Sequence, residues 1–165
     1  MGLLVKNLLF AILLPGTVMI WIPWWILHAA HVSIQLTRVR WPALLPLAIG
    51  VTIVLRCIWD FADSGRGTLA PIDPPKNLVV RGPYRYVRNP MYIGVLLVVL
   101  SEAWLFRSGA LLVEAGIAFL IIHTFVLLYE EPHLRRQFGA SYSTYCRSVN
   151  RWLPRRPDSD LGQKL

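Results

Sequence analysis

Ionisable side chains stand at the ends of long apolar runs in this sequence. Arg56 and Asp60 are four residues apart near the end of one run, which places them on one helix face. His123 and Glu130 share a helix face near the end of another run, and Glu131 follows directly. Charged groups are costly at membrane depth, so each is expected to have a partner or a function. Two adjacent acids in this position would bind a cationic group.

Structural interpretations of these residues stay open beside the functional ones. The arginine–aspartate pair could simply be an intrahelical ion pair that places two charges near a membrane interface. A single histidine in an apolar helix is more often a satisfied core residue than a functional group. Glu102 and Glu114 lie about a turn from the ends of their runs, where Arg107 could neutralise either acid.

The composition indicates a membrane protein of one domain. The chain has 165 residues, of which 55% are hydrophobic and only 16% charged, whereas soluble domains carry about 25% charged residues. The formal net charge is +8, and with such long apolar runs it favours anionic lipid headgroups or phosphate-bearing substrates over nucleic acid. The two cysteines lie far apart and form no CxxC motif, which argues against a disulfide framework.

Four apolar stretches predict an all-α, polytopic membrane helical bundle. About 20 apolar residues are needed to cross the hydrocarbon layer as a helix. The first stretch contains two prolines and is expected to kink or break, so the number of transmembrane helices is about four, or five if it is broken. The stretches run approximately over Leu8–Leu27, Ala43–Phe61, Met91–Phe106 and Ala110–Tyr129. The last two are expected to form an antiparallel hairpin through Ser108-Gly109.

The distribution of Lys and Arg predicts the orientation. With four spans, thirteen basic residues lie on one side and three on the other, which places both termini and the long middle loop in the cytoplasm. We therefore expect a multi-pass membrane protein whose active site faces the cytoplasm.

The C-terminal part is predicted to be an amphipathic helix on the inner leaflet. An apolar stripe recurs at helical spacing, and the basic and aromatic stretch Arg151–Arg156 that follows suits the headgroup layer. The stripe consists of Leu134, Phe138, Tyr142, Tyr145 and Val149. Residues 1–156 are expected to form a single domain, and residues 157–165 a disordered tail.

Two motifs in the second half of the chain resemble the isoprenylcysteine carboxyl methyltransferase and phospholipid N-methyltransferase superfamily. The first runs from Gly82 through Arg88-Asn89-Pro90-Met91-Tyr92 to Gly94, and the second starts at Glu130-Glu131-Pro132-His133-Leu134 and ends at Arg151-Trp152-Leu153-Pro154. The resemblance spans about residues 65–154. It implies an integral membrane methyltransferase that uses S-adenosyl-L-methionine and accepts a lipophilic substrate from the bilayer.

The resemblance also implies which residues form the site. Those expected to bind the cofactor are Arg88, Asn89, Pro90, Tyr92, Glu130 and Glu131, with Tyr84, Gly65 and Gly67 as further candidates. Arg56 and Asp60 are candidates for contact with the substrate. An amine acceptor must lose a proton, and Glu131 and His123 are the candidate bases. No metal site is expected.

Two departures from the superfamily bear on the acceptor. Asn89 stands where the carboxyl-methylating members typically have histidine, and residues 125–128 contain no arginine that could hold a substrate carboxylate. Both argue against prenylcysteine. A lipid amine, a small lipophilic thiol or phenol, and a lipid carboxylate remain as possible acceptors.

Two other functions are compatible with the sequence. A non-catalytic scaffold or lipid-binding subunit would explain the basic, aromatic C-terminal segment. A small transporter would explain the broken first stretch, although no second half mirrors it. The oligomeric state is not indicated by the sequence.

Overall fold

The computed structural model describes residues 13–31, 38–64 and 78–156, and within these ranges the protein is all-helical, as predicted. The five α-helices within these ranges are α1 (Ile22–Ala29), α2 (Leu44–Ser64), α3 (Pro90–Phe106), α4 (Gly109–Phe125) and α5 (Glu131–Ser148). Short helical turns lead into or join them: π turns at Thr17–Trp21 and Val126–Glu130, and 3₁₀ turns at Arg38–Ala43 and Gly82–Arg85.

The predicted second, third and fourth apolar stretches coincide with helices. By length and composition, Arg40–Phe61 and the apolar part of Gly109–Ser148 qualify as membrane spans, while Thr17–Ala29 and Pro90–Phe106 are shorter apolar helices. Large apolar side chains point outward from these helices, for example Leu45, 68% exposed, and Leu128, 75% exposed. Such a surface suits a lipid environment. The total number of spans stays a prediction.

The first apolar stretch contains a helical irregularity. Residues 8–12 of the predicted span lie outside the described residues, and from Thr17 to Ala29 the chain stays helical. The π turn Thr17–Trp21 comes directly before Pro23, which lies in the first turn of α1. Prolines and π turns are features at which helices commonly kink, so the irregularity predicted for this stretch falls within residues 17–23.

Helices α2 and α3 pack closely at two glycines. A Cβ atom at Gly50 would lie 2.8 Å from the carbonyl oxygen of Gly94, and one at Gly94 would lie 2.9 Å from the carbonyl oxygen of Gly50. Small residues allow such close backbone contact, which stabilises helix pairs in membranes.

Helices α3 and α4 form the predicted hairpin. Arg107 ends α3 in the left-handed conformation with φ of 51°. The Ser108 hydroxyl then accepts a hydrogen bond from the Leu111 amide at 3.4 Å and caps α4. The hairpin places the start of α3 and the end of α4 at the same end of the bundle.

Helix α5 buries its apolar stripe against the protein's own loop. Tyr142, Tyr145 and Val149 are almost fully buried and pack with Leu78 and Val80. Gly139 interrupts the helix with φ of 53° and ψ of −120°, so the two halves take different directions. The helix was predicted, whereas its position on the inner leaflet stays a prediction. The predicted tail, 157–165, lies outside the described residues.

Candidate active site

The segment that leads into α3 is positioned by contacts with the end of α2. Gly82 has φ of 51°, and a side chain there would collide with the carboxylate of Asp60. Tyr84 packs edge-on against Phe61, and its carbonyl oxygen accepts a hydrogen bond of 2.7 Å from the Tyr145 hydroxyl. Pro90 then occupies the first turn of α3, where a missing N–H costs nothing.

The chain after α5 crosses this segment and binds it through three hydrogen bonds. The Arg88 amide donates to the Asn150 carbonyl at 2.9 Å, and the Asn89 side-chain amide donates to the Arg151 carbonyl at 3.2 Å. The Arg155 amide donates to the Tyr86 carbonyl at 2.8 Å. Residues 149–155 therefore act as a strap, which holds Arg88 and Arg151 side by side.

Glu131 lies between these two arginines. Arg88 Nη1 is 2.9 Å from Glu131 Oε1, while Arg151 Nε is 2.7 Å from Oε1 and its Nη2 is 2.9 Å from Oε2. The carboxylate side chain is 9% exposed, and those of Arg88 and Arg151 are 13% and 29% exposed. Buried charges persist when they are paired and hydrogen-bonded in this way. Arg88 Nη1 also lies 3.0 Å from the Cys146 sulfur.

Glu130 points to a different partner. Its Oε2 accepts a hydrogen bond of 3.0 Å from the Tyr92 hydroxyl. Its Oε1 has no partner among the described residues. The two adjacent acids therefore differ: Glu131 is fully engaged by arginines, whereas Glu130 retains an oxygen that can bind a ligand.

His123 belongs to an aromatic cluster next to the strap. Its Nδ1 accepts a hydrogen bond of 3.1 Å from the indole N–H of Trp152. Its ring packs with Phe119 and Trp152 at centroid distances of 5.5 and 5.9 Å. One ring nitrogen is thus occupied by a structural contact.

Arg56 and Asp60 pair with each other. Arg56 Nε donates to Asp60 Oδ2 at 3.3 Å, and Asp60 is 3% exposed, while the Arg56 side chain is 57% exposed. Asp60 lies close to Gly82, where an added Cβ would collide with its carboxylate. The pair therefore fits the intrahelical interpretation, and its role with substrate stays a prediction.

Two pKa shifts near the site have clear causes. Hydrogen bonding to Glu131 raises the pKa of Arg151, so this guanidinium stays charged. Burial raises the pKa of Tyr84 well above its ordinary value, so its hydroxyl stays protonated.

An apolar cavity adjoins the site. It has a volume of about 590 Å³ and lies between the first helical segment, α3 and α4. Two polar side chains line it, Tyr92 and Glu114, and the rest of its wall is apolar. This volume falls within the range of about 300–1,000 Å³ typical of small-molecule pockets. Tyr92 therefore contacts both the cavity and, through its hydroxyl, Glu130 of the acidic pair.

The structure thus brings together most of the residues predicted for the cofactor site. Arg88, Asn89 and Glu131 are linked directly or through Arg151. Tyr92 binds Glu130, which neighbours Glu131 in sequence, and His123 contacts Trp152 of the strap. Gly65 and Gly67 lie outside the described residues.

Arg151 is the residue whose place the sequence did not predict. It was assigned to the headgroup layer because it stands in a basic, aromatic stretch. The available signal was charge balance, because two acids at the end of an apolar run need more than the one cation that Arg88 supplies.

Comparison with known proteins agrees with this architecture. No curated protein and no solved structure matches the chain. The family model described as phospholipid methyltransferase matches residues 39–141, a range that includes α2, α3, α4 and the acidic pair. That family implies a membrane methyltransferase of lipid-related substrates. Because the match covers more than half of its length, the chain belongs to the phospholipid methyltransferase family.

Proposed function

We propose that this chain uses S-adenosyl-L-methionine to methylate a lipophilic acceptor: a lipid amine, thiol or carboxylate. One observation carries the proposal. Tyr92 lines the apolar cavity and at the same time binds Glu130 of the acidic pair. A lipophilic acceptor and a polar cofactor would therefore meet at this tyrosine.

The polar groups of the site fit the proposed cofactor. S-adenosylmethionine carries an ammonium group, a carboxylate and ribose hydroxyls. Glu130 Oε1 would accept a hydrogen bond from the ammonium group or a ribose hydroxyl. Arg88 Nε is buried and has no hydrogen-bond partner among the described residues, so it would suit the cofactor carboxylate. Asn89 and the Tyr92 ring complete this side of the proposed pocket.

The two acids then have different proposed roles. The bound cofactor would supply a methyl group on a positively charged sulfur, and placing the acceptor in line with it accounts for most of the acceleration in such reactions. Glu130 would hold the cofactor or receive the acceptor's proton through its unengaged oxygen. Glu131 accepts three hydrogen bonds from two arginines, which makes it a better positioning residue than a base.

His123 remains the second candidate base. Its Nδ1 is occupied by Trp152, so only its Nε2 could accept a proton. The exposed Arg56 would contact an anionic headgroup of the lipid substrate. We place this end of the bundle at the cytoplasmic face, because the basic residues of the sequence concentrate there.

The test is cofactor binding to purified protein. We expect S-adenosylhomocysteine to bind the wild type in lipid nanodiscs by calorimetry. Glu130→Gln keeps the size of the side chain and an oxygen for Tyr92 but removes the charge, and it should weaken binding about tenfold or more, the loss expected for a charge-assisted hydrogen bond.

Asp63→Asn is the matched control. Asp63 lies at the end of α2 and forms an exposed ion pair of 2.9 Å with Arg81, so its loss should leave affinity within about twofold. Folded wild-type protein that binds no S-adenosylhomocysteine would reject the proposal and favour the non-catalytic alternative. Equal affinity of the wild type and Glu130→Gln would reject the assigned residue alone.

A further inference from the structure

Glu114 is a buried acid that no part of the proposed reaction uses. It lies in α4, near the hairpin turn, and retains 8% exposure. Both carboxyl oxygens are buried and have no hydrogen-bond partner among the described residues. The side chain lines the apolar cavity.

Within the described part of the chain, Glu114 lacks the obvious partners. Arg107, which could neutralise either this acid or Glu102, forms no ion pair with Glu114 among these residues. Glu102 is within electrostatic reach of Glu114 and also has a buried oxygen without a partner. A carboxyl group buried in apolar surroundings is costly without a hydrogen bond. A ligand that donates to Glu114 would therefore be favoured in this cavity.

Glu114 and Tyr92 lie far apart along the bundle. Tyr92 binds Glu130, and at the rise of a helix about 24 Å of chain separates Glu130 from Glu114. Between these levels α4 contributes apolar wall residues such as Ile117, Ile121 and Ile122. The cavity therefore offers a polar group at each end and an apolar middle.

We infer that the cavity selects an elongated lipophile that carries a hydrogen-bond donor, a hydroxyl or an amine, at the end far from the methylated group. Glu114 binds this donor. The inference rests on the proposed function, because it treats the cavity as the acceptor site. A simple alkyl chain that ends in a methyl group leaves Glu114 without a partner and binds less tightly.

Matched ligands test the inference directly. Dodecylamine, its ω-hydroxy analogue and its ω-amino analogue have the same chain length, and each carries an acceptor amine at one end. They differ at the other end, which is a methyl group, a hydroxyl or a second amine. Their binding to the protein in nanodiscs is measured by equilibrium partition, with empty nanodiscs as the reference. We expect the wild type to prefer both ω-substituted ligands about tenfold or more over dodecylamine, the effect of one added hydrogen bond to a buried acid.

Two variants assign the preference to the acid. Glu114→Leu should remove the preference over dodecylamine for both ω-substituted ligands. Glu114→Gln should reduce the preference more for the ω-amine than for the ω-alcohol, because an amide has no charge. Ile117→Ala is the control from the cavity wall, and it should weaken all three ligands alike. Circular dichroism and size-exclusion chromatography verify that each variant is folded, independently of cofactor binding.

The outcomes are distinct. Equal affinity of the three ligands for the wild type overturns the inference and means that water satisfies the acid. A preference that persists in Glu114→Leu also overturns it, because another group then binds the donor. A preference that depends on Glu114 supports the inference. If that preference is found in protein that binds no S-adenosylhomocysteine, the lipophile site stands and the proposed methyl transfer fails.

Discussion

The strongest structural prediction concerns Arg151, which makes two of the three hydrogen bonds to Glu131. Arg151→Ala removes the contacts of 2.7 and 2.9 Å and leaves Glu131 Oε2 without its donor, while Arg88 still pairs with Oε1. Removing one partner of a buried, hydrogen-bonded ion pair costs about 3–5 kcal/mol.

The cost of Arg151→Ala should be smaller than the ~3–5 kcal/mol typical of a fully buried ion pair. The Arg151 side chain is 29% exposed, so water can reach the carboxylate after truncation, and one cation remains. We therefore expect the free energy of unfolding to fall by about 2–3 kcal/mol. Arg151→Lys restores a charge but only one of the two parallel hydrogen bonds, and should recover about half of the loss.

The assay is equilibrium unfolding of purified protein in mild detergent, followed by tryptophan fluorescence. Arg155→Ala is the matched control, because its exposed guanidinium makes only a long contact of 3.5 Å with the Arg147 carbonyl. We expect that variant to change stability by less than about 0.5 kcal/mol. A double-mutant cycle with Glu131→Gln should give a coupling of about 1–3 kcal/mol.

An Arg151→Ala variant that is no more destabilised than Arg155→Ala would contradict this prediction. Full additivity of the stability effects of Arg151→Ala and Glu131→Gln would contradict it as well. Either result would mean that the strap does not depend on the ion cluster. S-adenosylhomocysteine affinity of the folded variant would then report on the pocket independently of stability.

Two further predictions concern packing and the cavity. Gly94→Ala should destabilise the protein by about 1–3 kcal/mol in thermal unfolding, because its Cβ would clash with the Gly50 carbonyl oxygen. Gly116→Ala is the control and should be neutral or slightly stabilising, because its Cβ would meet open space. Tyr92→Phe should weaken S-adenosylhomocysteine binding about five- to tenfold by calorimetry, because Glu130 loses its orienting donor, whereas an unchanged affinity would remove Tyr92 from the proposed site.

Much of the fold could be predicted from local sequence. The apolar runs predicted α2, α3 and α4 nearly to their ends, and Ser108 marked the turn between the last two. These features depend on hydrophobic runs and on capping by neighbouring residues, so a short window of sequence contains the information. Gly94 shows the limit, because its importance depends on the glycine that faces it on α2.

The site residues were predicted as types, but their partners were not. Glu131 stood out as one of two adjacent acids at the end of an apolar run and Arg88 as part of a family motif, yet the sequence did not indicate that they bind each other. Glu130 and Glu131 look equivalent in sequence. Only the structure distinguishes them, because one turns to Tyr92 and the other to two arginines.

The sequence by itself determined the class of this protein: an all-helical chain with apolar spans, basic residues concentrated on one side of these spans, and the motifs of a methyltransferase family. The tertiary structure decided where Arg151 lies and that a cavity joins Tyr92 to Glu114. The physical reason is the distance along the sequence between the residues that interact. Helices form through contacts between residues a few positions apart, whereas the ion cluster and the cavity depend on residues that only the packing of separate segments brings together.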